Sequence, residues 1–311
     1  MFFEGAEKRI EIVIDESQTG FRDREILFWQ TVLAKAGASI LSKTTHNYCD
    51  AYVLSESSLF VWQHKLILIT CGNTSLIDTT LAILTSVGCE NIKGFSYQRK
   101  SELYAHLQSS RFEDDVWQLR QHIAGKAYRL GHLDSHHHYL FTYGEEALSR
   151  HFSGLQLFHI RGEFAEYLRA ETQSKQYIFQ QLGLAERLPD FQFDDHLFTP
   201  YGYSLNGVLE QQYLTLHITP QLPNCYISIE TNIEQDELVC SLFDVLLTAF
   251  NPSRWDMINI DSTKLIGLAN TVAKDAQHLS QIQLSIGRQK TVFINHYKQL
   301  DCEHLVPVEL T

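Results

Sequence analysis

The sequence predicts an α+β layered fold with sheets inside and helices outside, and three observations predict it. Short runs of β-branched and aromatic residues recur in both halves of the chain, as at residues 7–14 and 213–219. Each half sets paired strand-like runs ahead of one helix-like stretch. The pieces between them are short and turn-rich, as at residues 220–224.

In chain order, residues 7–14 and 52–60 read as strands. Between them, residues 22–38 carry Ile26, Leu27, Trp29, Val32 and Leu33 at helical spacing, and Gly37 suggests the stop. Residues 65–70 form an almost continuous apolar strand. A helix over 74–87 follows, with Asn73, Thr74 or Ser75 available as its cap and Gly88 at its end. In the second half, 213–219 and 225–230 read as a strand pair joined by a hairpin turn. An amphipathic helix over 235–250 and a strand over 257–261 come next. The middle, 150–195, is polar, with helical composition over 163–187 and no Gly/Pro/Ser-rich linker. A soft boundary near Ser153 and Gly154 divides the chain into halves of about 1–153 and 154–311. The similar order of elements leaves a duplication open, although no residue-level repeat proves it.

Bulk properties narrow the function. The 311 residues suffice for a sizeable core, as one large domain or two halves. A net charge of −12, with no basic run longer than Lys8-Arg9 or Arg99-Lys100, argues against nucleic acid or an anionic membrane as partner. No stretch approaches the roughly 20 apolar residues of a membrane span. The charged start does not resemble a signal peptide. Six cysteines, none in CxxC or CxxH spacing, read as reduced thiols in the cytoplasm rather than disulfides or a zinc site.

Common catalytic signatures are missing: there is no GxGxxG, Walker loop or HExxH. Gly202-Tyr203-Ser204-Leu205-Asn206 is a near miss to the GxSxG elbow, ending in Asn and lacking a clear strand-to-helix setting. His136, His137 and His138 suggest metal, but neighbours on a strand point to opposite faces, so ordinary strand histidines are the plainer reading and no metal is expected. Glu4 and Glu7 could pair for acid/base work or stand as a solvated chain start. Residues 54–58, Leu-Ser-Glu-Ser-Ser, interrupt an apolar pattern and by themselves read as a polar turn.

Taken in order, these weak signals resemble one family. Phe2-Phe3-Glu4-Gly5-Ala6-Glu7-Lys8 is similar to the FFEGxEK opening of eukaryotic-type S-adenosylmethionine decarboxylases. Tyr52-Val53-Leu54-Ser55-Glu56-Ser57-Ser58 resembles their YVLSESS self-cleavage motif. Thr70-Cys71-Gly72, Gly202 through Gly207, His217-Ile218-Thr219-Pro220 and Ile229-Glu230-Thr231-Asn232 resemble TCG, GYSxNG, HITP and FETN. The similarity runs to about Phe250 and is thin between Leu107 and Asp195.

The resemblance implies a single four-layer αββα sandwich of two antiparallel sheets, the halves related by internal duplication. It also implies a self-processing proenzyme, cut between Glu56 and Ser57 into a β chain, 1–56, and an α chain, 57–311, whose Ser57 becomes a covalent pyruvoyl cofactor. That group forms a Schiff base with the amine of S-adenosylmethionine and acts as electron sink. His217 would remove the serine α-proton, with a pKa suited to that near neutrality. Ser204 would hydrogen-bond the oxyester, and Cys71 would reprotonate the product. Phe3 and Phe198 would stack the adenine, with the backbone near Leu54 and Glu56 reading its edge. Glu4 and Glu7 match acids of substrate handling and processing.

Two departures qualify the match. The family's ribose-binding acid is Gln221 here, an amide with one acceptor where a carboxylate offers two, which points to weaker nucleoside binding or another substrate. Of the acids that hold the activator putrescine, Glu11 and Glu230 are matched, but Leu155 and His159 fall at the other two. Ile69 replaces a basic residue before the cysteine, so putrescine control is expected to be absent. The expected role is cytoplasmic supply of aminopropyl groups for spermidine. The alternatives are a pyruvoyl decarboxylase of ornithine or arginine, or a catalytically silent regulatory homologue. Family members occur as monomers and as dimers, which leaves a homodimer open.

Overall fold

Strand pairing in a computed structural model explains why both halves read alike. The structure describes residues 5–222, 225–261, 276–287 and 290–300. In the first half, β1 (Lys8–Ile14), β2 (Ile40–Thr45), β3 (Asp50–Leu54), β4 (Ser57–Val61), β5 (Lys65–Thr70), β6 (Ile92–Lys100), β7 (Lys126–Leu130) and β8 (His138–Tyr143) form one sheet. Their order is β2-β3-β4-β5-β1-β6-β8-β7. The second half contributes β9 (Ser153–Phe158), β10 (Gln192–Leu197), β11 (Tyr203–Leu209), β12 (Gln212–Thr219), β13 (Tyr226–Thr231), β14 (Arg254–Ile260), β15 (Ala276–Ile286) and β16 (Lys290–Gln299). Its order, β10-β11-β12-β13-β9-β14-β16-β15, is the first order shifted by one full set of strands. The duplication is thus in topology rather than in residues.

Alternation along each strand sorts the layers. The even positions of β1, Ile10 and Ile12, pack with Leu66 and Leu68 under α1 (Ile26–Lys35) and α2 (Leu76–Val87), which bury Trp29, Leu33, Ile83 and Leu84. A further helix, α3 (Phe112–Leu119), closes this face with Phe112 and Val116. On the other sheet, Leu155, Leu157, Leu214 and Leu216 meet three helices from the polar middle and a fourth from the second half. These are α4 (Glu163–Tyr167), α5 (Lys175–Leu182), α6 (Leu184–Arg187) and α7 (Asp236–Phe250). The inner faces meet each other: Phe60, Ile67 and Ile69 touch Val208 and Tyr213, while Leu130 and Leu140 touch Ile258 and Ile294. Helix, sheet, sheet, helix is the αββα sandwich.

The centre of that sandwich is polar. Arg9 Nε donates to Glu230 at 3.0 Å and Arg9 Nη2 to Glu11 at 3.1 Å. Lys100 Nζ donates to Asp256 at 2.5 Å, and Asp256 also contacts His138 and His296. Such charges persist in an interior only when paired.

Three expectations change in detail. Residues 52–60 are two strands, β3 and β4, because Ser55 and Glu56 turn the chain tightly between Leu54 and Ser57. The helix expected over 22–38 narrows to α1, preceded by a short 3-10 turn at Phe21–Asp23. The helical middle breaks into α4, α5 and α6, the last break at Gly183, whose φ of 61° ends α5. The hairpin turn expected at 220–224 lies partly outside the described residues, since 223–224 are not among them.

Candidate active site

The β3–β4 hairpin of the first sheet lies against β11 and β12 of the second, and this seam brings distant motifs together. Ser57 Oγ is 3.0 Å from His217 Nε2. Ser204, the cross-strand partner of His217, places its Oγ 2.9 Å from Nδ1. Ser204 therefore sits near the start of β11, paired within the sheet, not on a strand-to-helix elbow. Cys71, just past β5, donates its backbone N–H to the Glu56 carbonyl at 3.1 Å, with Sγ at 3.4 Å from the same oxygen. In the uncut chain the groups at the Glu56 carbonyl are the amide and thiol of Cys71, while the Ser204 hydroxyl, expected at the oxyester, lies on the far nitrogen of the His217 ring.

Ser57 itself is strained. Its φ is 142°, a region that L side chains rarely adopt. Ser57 opens β4 directly after the two-residue loop Ser55-Glu56, opposite Leu54 at the end of β3. The strain falls on the Glu56–Ser57 junction.

Three further residues complete the seam. Thr215 Oγ1 is 2.9 Å from His217 Nε2 and donates to Asn206 Oδ1, also at 2.9 Å. Ser58 Oγ donates to the same Oδ1 at 2.7 Å, and Asn206 Nδ2 donates to the Tyr52 carbonyl at 3.0 Å. Asn206 was visible inside the GYSLNG string. Thr215 could have been found from its place two residues before His217, on the same strand face.

Burial sets the charge states. It pushes His217 down to about 3, so the imidazole is neutral, well below the near-neutral value expected from its residue type. Burial pushes Glu7 up to about 8, with nearby Glu230 adding to the rise, and its carboxyl contacts the Ser228 hydroxyl. Glu56 is also raised by burial.

A cavity of about 650 Å³ opens above this seam, lined by Glu56, Ser57, Cys71, Phe198, His217 and Gln221 among others. That volume suits a drug-sized ligand. Phe198 faces His196 edge-on at 4.6 Å. The side chain of Leu54 is fully buried on the helix side, so the cavity wall begins at Ser55. Phe3 and Glu4 lie outside the described residues. His136, His137 and His138 diverge, onto Phe158, Tyr139 and Asp256 respectively. Among the described residues no cluster could hold a metal ion, and no helix is long and apolar enough to cross a membrane.

The model of the family described as adenosylmethionine decarboxylase matches residues 1–305. The chain belongs to the adenosylmethionine decarboxylase family. Named S-adenosylmethionine decarboxylase proenzyme are a Dictyostelium discoideum protein, 31% identical over 81% of this chain and 73% of its own length, and an Onchocerca volvulus protein, 32% identical over 82% and 74%. The same name is carried by a Xenopus laevis protein, 30% identical over 78% of this chain and 80% of its own. A crystal structure of a Trypanosoma brucei AdoMetDC monomer superimposes with a TM-score of 0.60 at 19% identity, covering 78% of this chain and 98% of that one. The αββα layers and doubled strand order are therefore the adenosylmethionine decarboxylase fold.

Proposed function

We propose that this chain cuts itself between Glu56 and Ser57 and that the product decarboxylates S-adenosylmethionine, supplying aminopropyl groups for spermidine. The observation that carries this reading is Ser57: strained, in contact with a neutral His217, and preceded by a carbonyl gripped by Cys71.

Each step uses a group in place. Ser57 Oγ attacks the Glu56 carbonyl carbon; the new C–O bond replaces the C–N bond and gives an ester. Charge developing on the carbonyl oxygen meets the Cys71 N–H and thiol, donors fixed before the reaction begins. The shift also relieves the backbone strain at Ser57. His217, unprotonated because it is buried, then takes the α-proton of residue 57. The Glu56 carboxylate leaves, and water releases the α-nitrogen as ammonia. The residues fit a pyruvoyl at position 57, which when formed offers a carbonyl to the substrate amine as an electron sink. Cys71 then gives its thiol proton to the substrate α-carbon, and Phe198 stacks the adenine. The two chains remain one domain, since β3 and β4, on either side of the cut, pair within one sheet.

The same reading makes the enzyme independent of putrescine. Glu11 and Glu230, the two matched acids of a diamine site, already share the guanidinium of Arg9. A cytoplasmic setting is supported by Cys49, Cys71, Cys89, Cys225 and Cys240 standing as thiols. Carbon dioxide release measured separately from S-adenosylmethionine, ornithine and arginine tests the substrate. Release from S-adenosylmethionine alone is expected; release confined to ornithine or arginine overturns it.

A further inference from the structure

A neutral imidazole is a base only at the nitrogen that lacks a proton, so the tautomer of His217 matters to its work. Its Nε2 faces Ser57 Oγ at 3.0 Å and Thr215 Oγ1 at 2.9 Å, while Nδ1 faces Ser204 Oγ at 2.9 Å. Among the described residues neither nitrogen touches a carboxylate, so hydroxyls decide where the proton sits.

Asn206 orients the first of these hydroxyls. Its Nδ2 donates to the Tyr52 carbonyl at 3.0 Å, which turns Oδ1 toward Thr215 and Ser58. An amide oxygen only accepts, so it takes the Thr215 proton at 2.9 Å and the Ser58 proton at 2.7 Å. The other route for the Thr215 proton, to Ser58 Oγ, is longer at 3.4 Å. Thr215 therefore shows Nε2 a lone pair, and a contact of 2.9 Å between them calls for a proton on Nε2. Ser204 agrees from the other side of the ring. It is buried, and among the described residues the ring is the one hydrogen-bond partner of its hydroxyl, so it satisfies its O–H by donating to Nδ1.

We propose that Asn206 and Thr215 are positioning residues that park the His217 proton on Nε2, so that the ring meets Ser57 as a donor in the uncut chain. This rests on the reading of His217 as the base of self-processing, and it makes the pair a restraint on that base. Before the α-proton is taken, the Nε2–H bond must break and an Nδ1–H bond form. Water in the cavity that His217 lines carries the proton, the ring stays neutral, and the Ser204 hydroxyl turns from donor to acceptor. The α-proton then enters Nε2 along the line from residue 57, so Thr215 stabilises the parked proton and not the one in flight. Ser58 lies in β4 of one sheet, Asn206 and Thr215 in β11 and β12 of the other, so the restraint is complete only once the sheets have packed.

Nitrogen NMR of the uncut Ser57→Ala protein, labelled at histidine, reads the tautomer directly. The His217 signals are identified by their loss on adding His217→Ala. At neutral pH the proton should be on Nε2 and absent from Nδ1. Adding Thr215→Val should shift the tautomer ratio about 5-fold toward Nδ1–H, and Thr215→Ser should leave it as it was. In the chain that keeps Ser57, Thr215→Val should make the hydroxylamine-sensitive ester disappear about 5-fold faster, with Thr215→Ser matching the wild type. A proton on Nδ1 of the Ser57→Ala protein, a ratio that Thr215→Val leaves unmoved, or an ester that it does not shorten overturns the proposal. The first reading needs no change at the pair, so it stands even where Thr215→Val fails to fold. A wild type that never cuts removes the self-processing reading, while the tautomer is still read from Ser57→Ala.

Discussion

At residue 57 a serine holds a backbone angle suited to glycine, and the difference is measurable. Ser57→Gly and Ser57→Ala should both remain uncut, and Ser57→Gly should be the more stable by about 1 kcal/mol in denaturant titration, because it accepts φ 142° without strain. Equal stabilities would mean that no strain is stored there. His217→Ala should stop at the ester, recognised because hydroxylamine then cleaves a chain that otherwise stays whole. Cys71→Ala keeps the backbone N–H on Glu56 and should still process, yet decarboxylate about 10² times more slowly. Ser57, Cys71, Ser204 and His217 were legible because each lies in a short string whose order resembles a family. Their geometry was not. That Ser204 serves a ring nitrogen, that Cys71 grips the carbonyl, and that Thr215, itself held by Asn206, contacts the imidazole all depend on strand register across two sheets. The depressed basicity of His217 was likewise invisible, since burial is a property of the whole seam.

Among the elements, those whose apolar residues follow helical spacing or run on unbroken were legible. α2, α7 and β5 were readable because helical spacing or a continuous apolar run marks them. β6 and β8 went unread because their inner faces carry Ser96, Gln98, Lys100 and His138, and Arg99 charges the helix-facing side of β6, so no continuous apolar run marks them. The same inner faces make a prediction about β1. Arg9→Leu strands Glu11 and Glu230 as unpaired buried acids, which should cost about 3–5 kcal/mol. Putrescine, without effect on the unfolding temperature of the wild type, should then recover part of the loss in the variant. An unfolding temperature that putrescine raises equally in both proteins would show a diamine site that Arg9 does not fill.

Across the whole molecule, buried ionisable groups set how stability follows pH. Burial holds His217 and His138 down to about 3 and His136 down to about 4. Unfolded, these imidazoles take protons near pH ~6.5 that the folded state refuses. Their contribution is therefore complete above about pH 6.5 and is lost progressively as pH falls toward about 3. Glu7, raised to about 8, works oppositely: its contribution is complete below about 4.5 and lost as pH rises through about 8. The histidines weaken the fold toward acid, and Glu7, joined by the raised Glu56 and Asp244, toward alkali, so the maximum falls between about pH 4.5 and 8, to be read from denaturant titrations at successive pH. His136→Gln should flatten the acid limb; an unchanged limb would remove that histidine from the balance.

Whether one strained serine becomes the cofactor is tested most directly by intact-mass measurement of the purified chain. Two species are predicted, residues 1–56 ending in a free carboxylate and residues 57–311 beginning with pyruvoyl, their summed mass equal to the precursor plus one water less one ammonia. A single uncut chain, or a large fragment that still begins with serine, would contradict it.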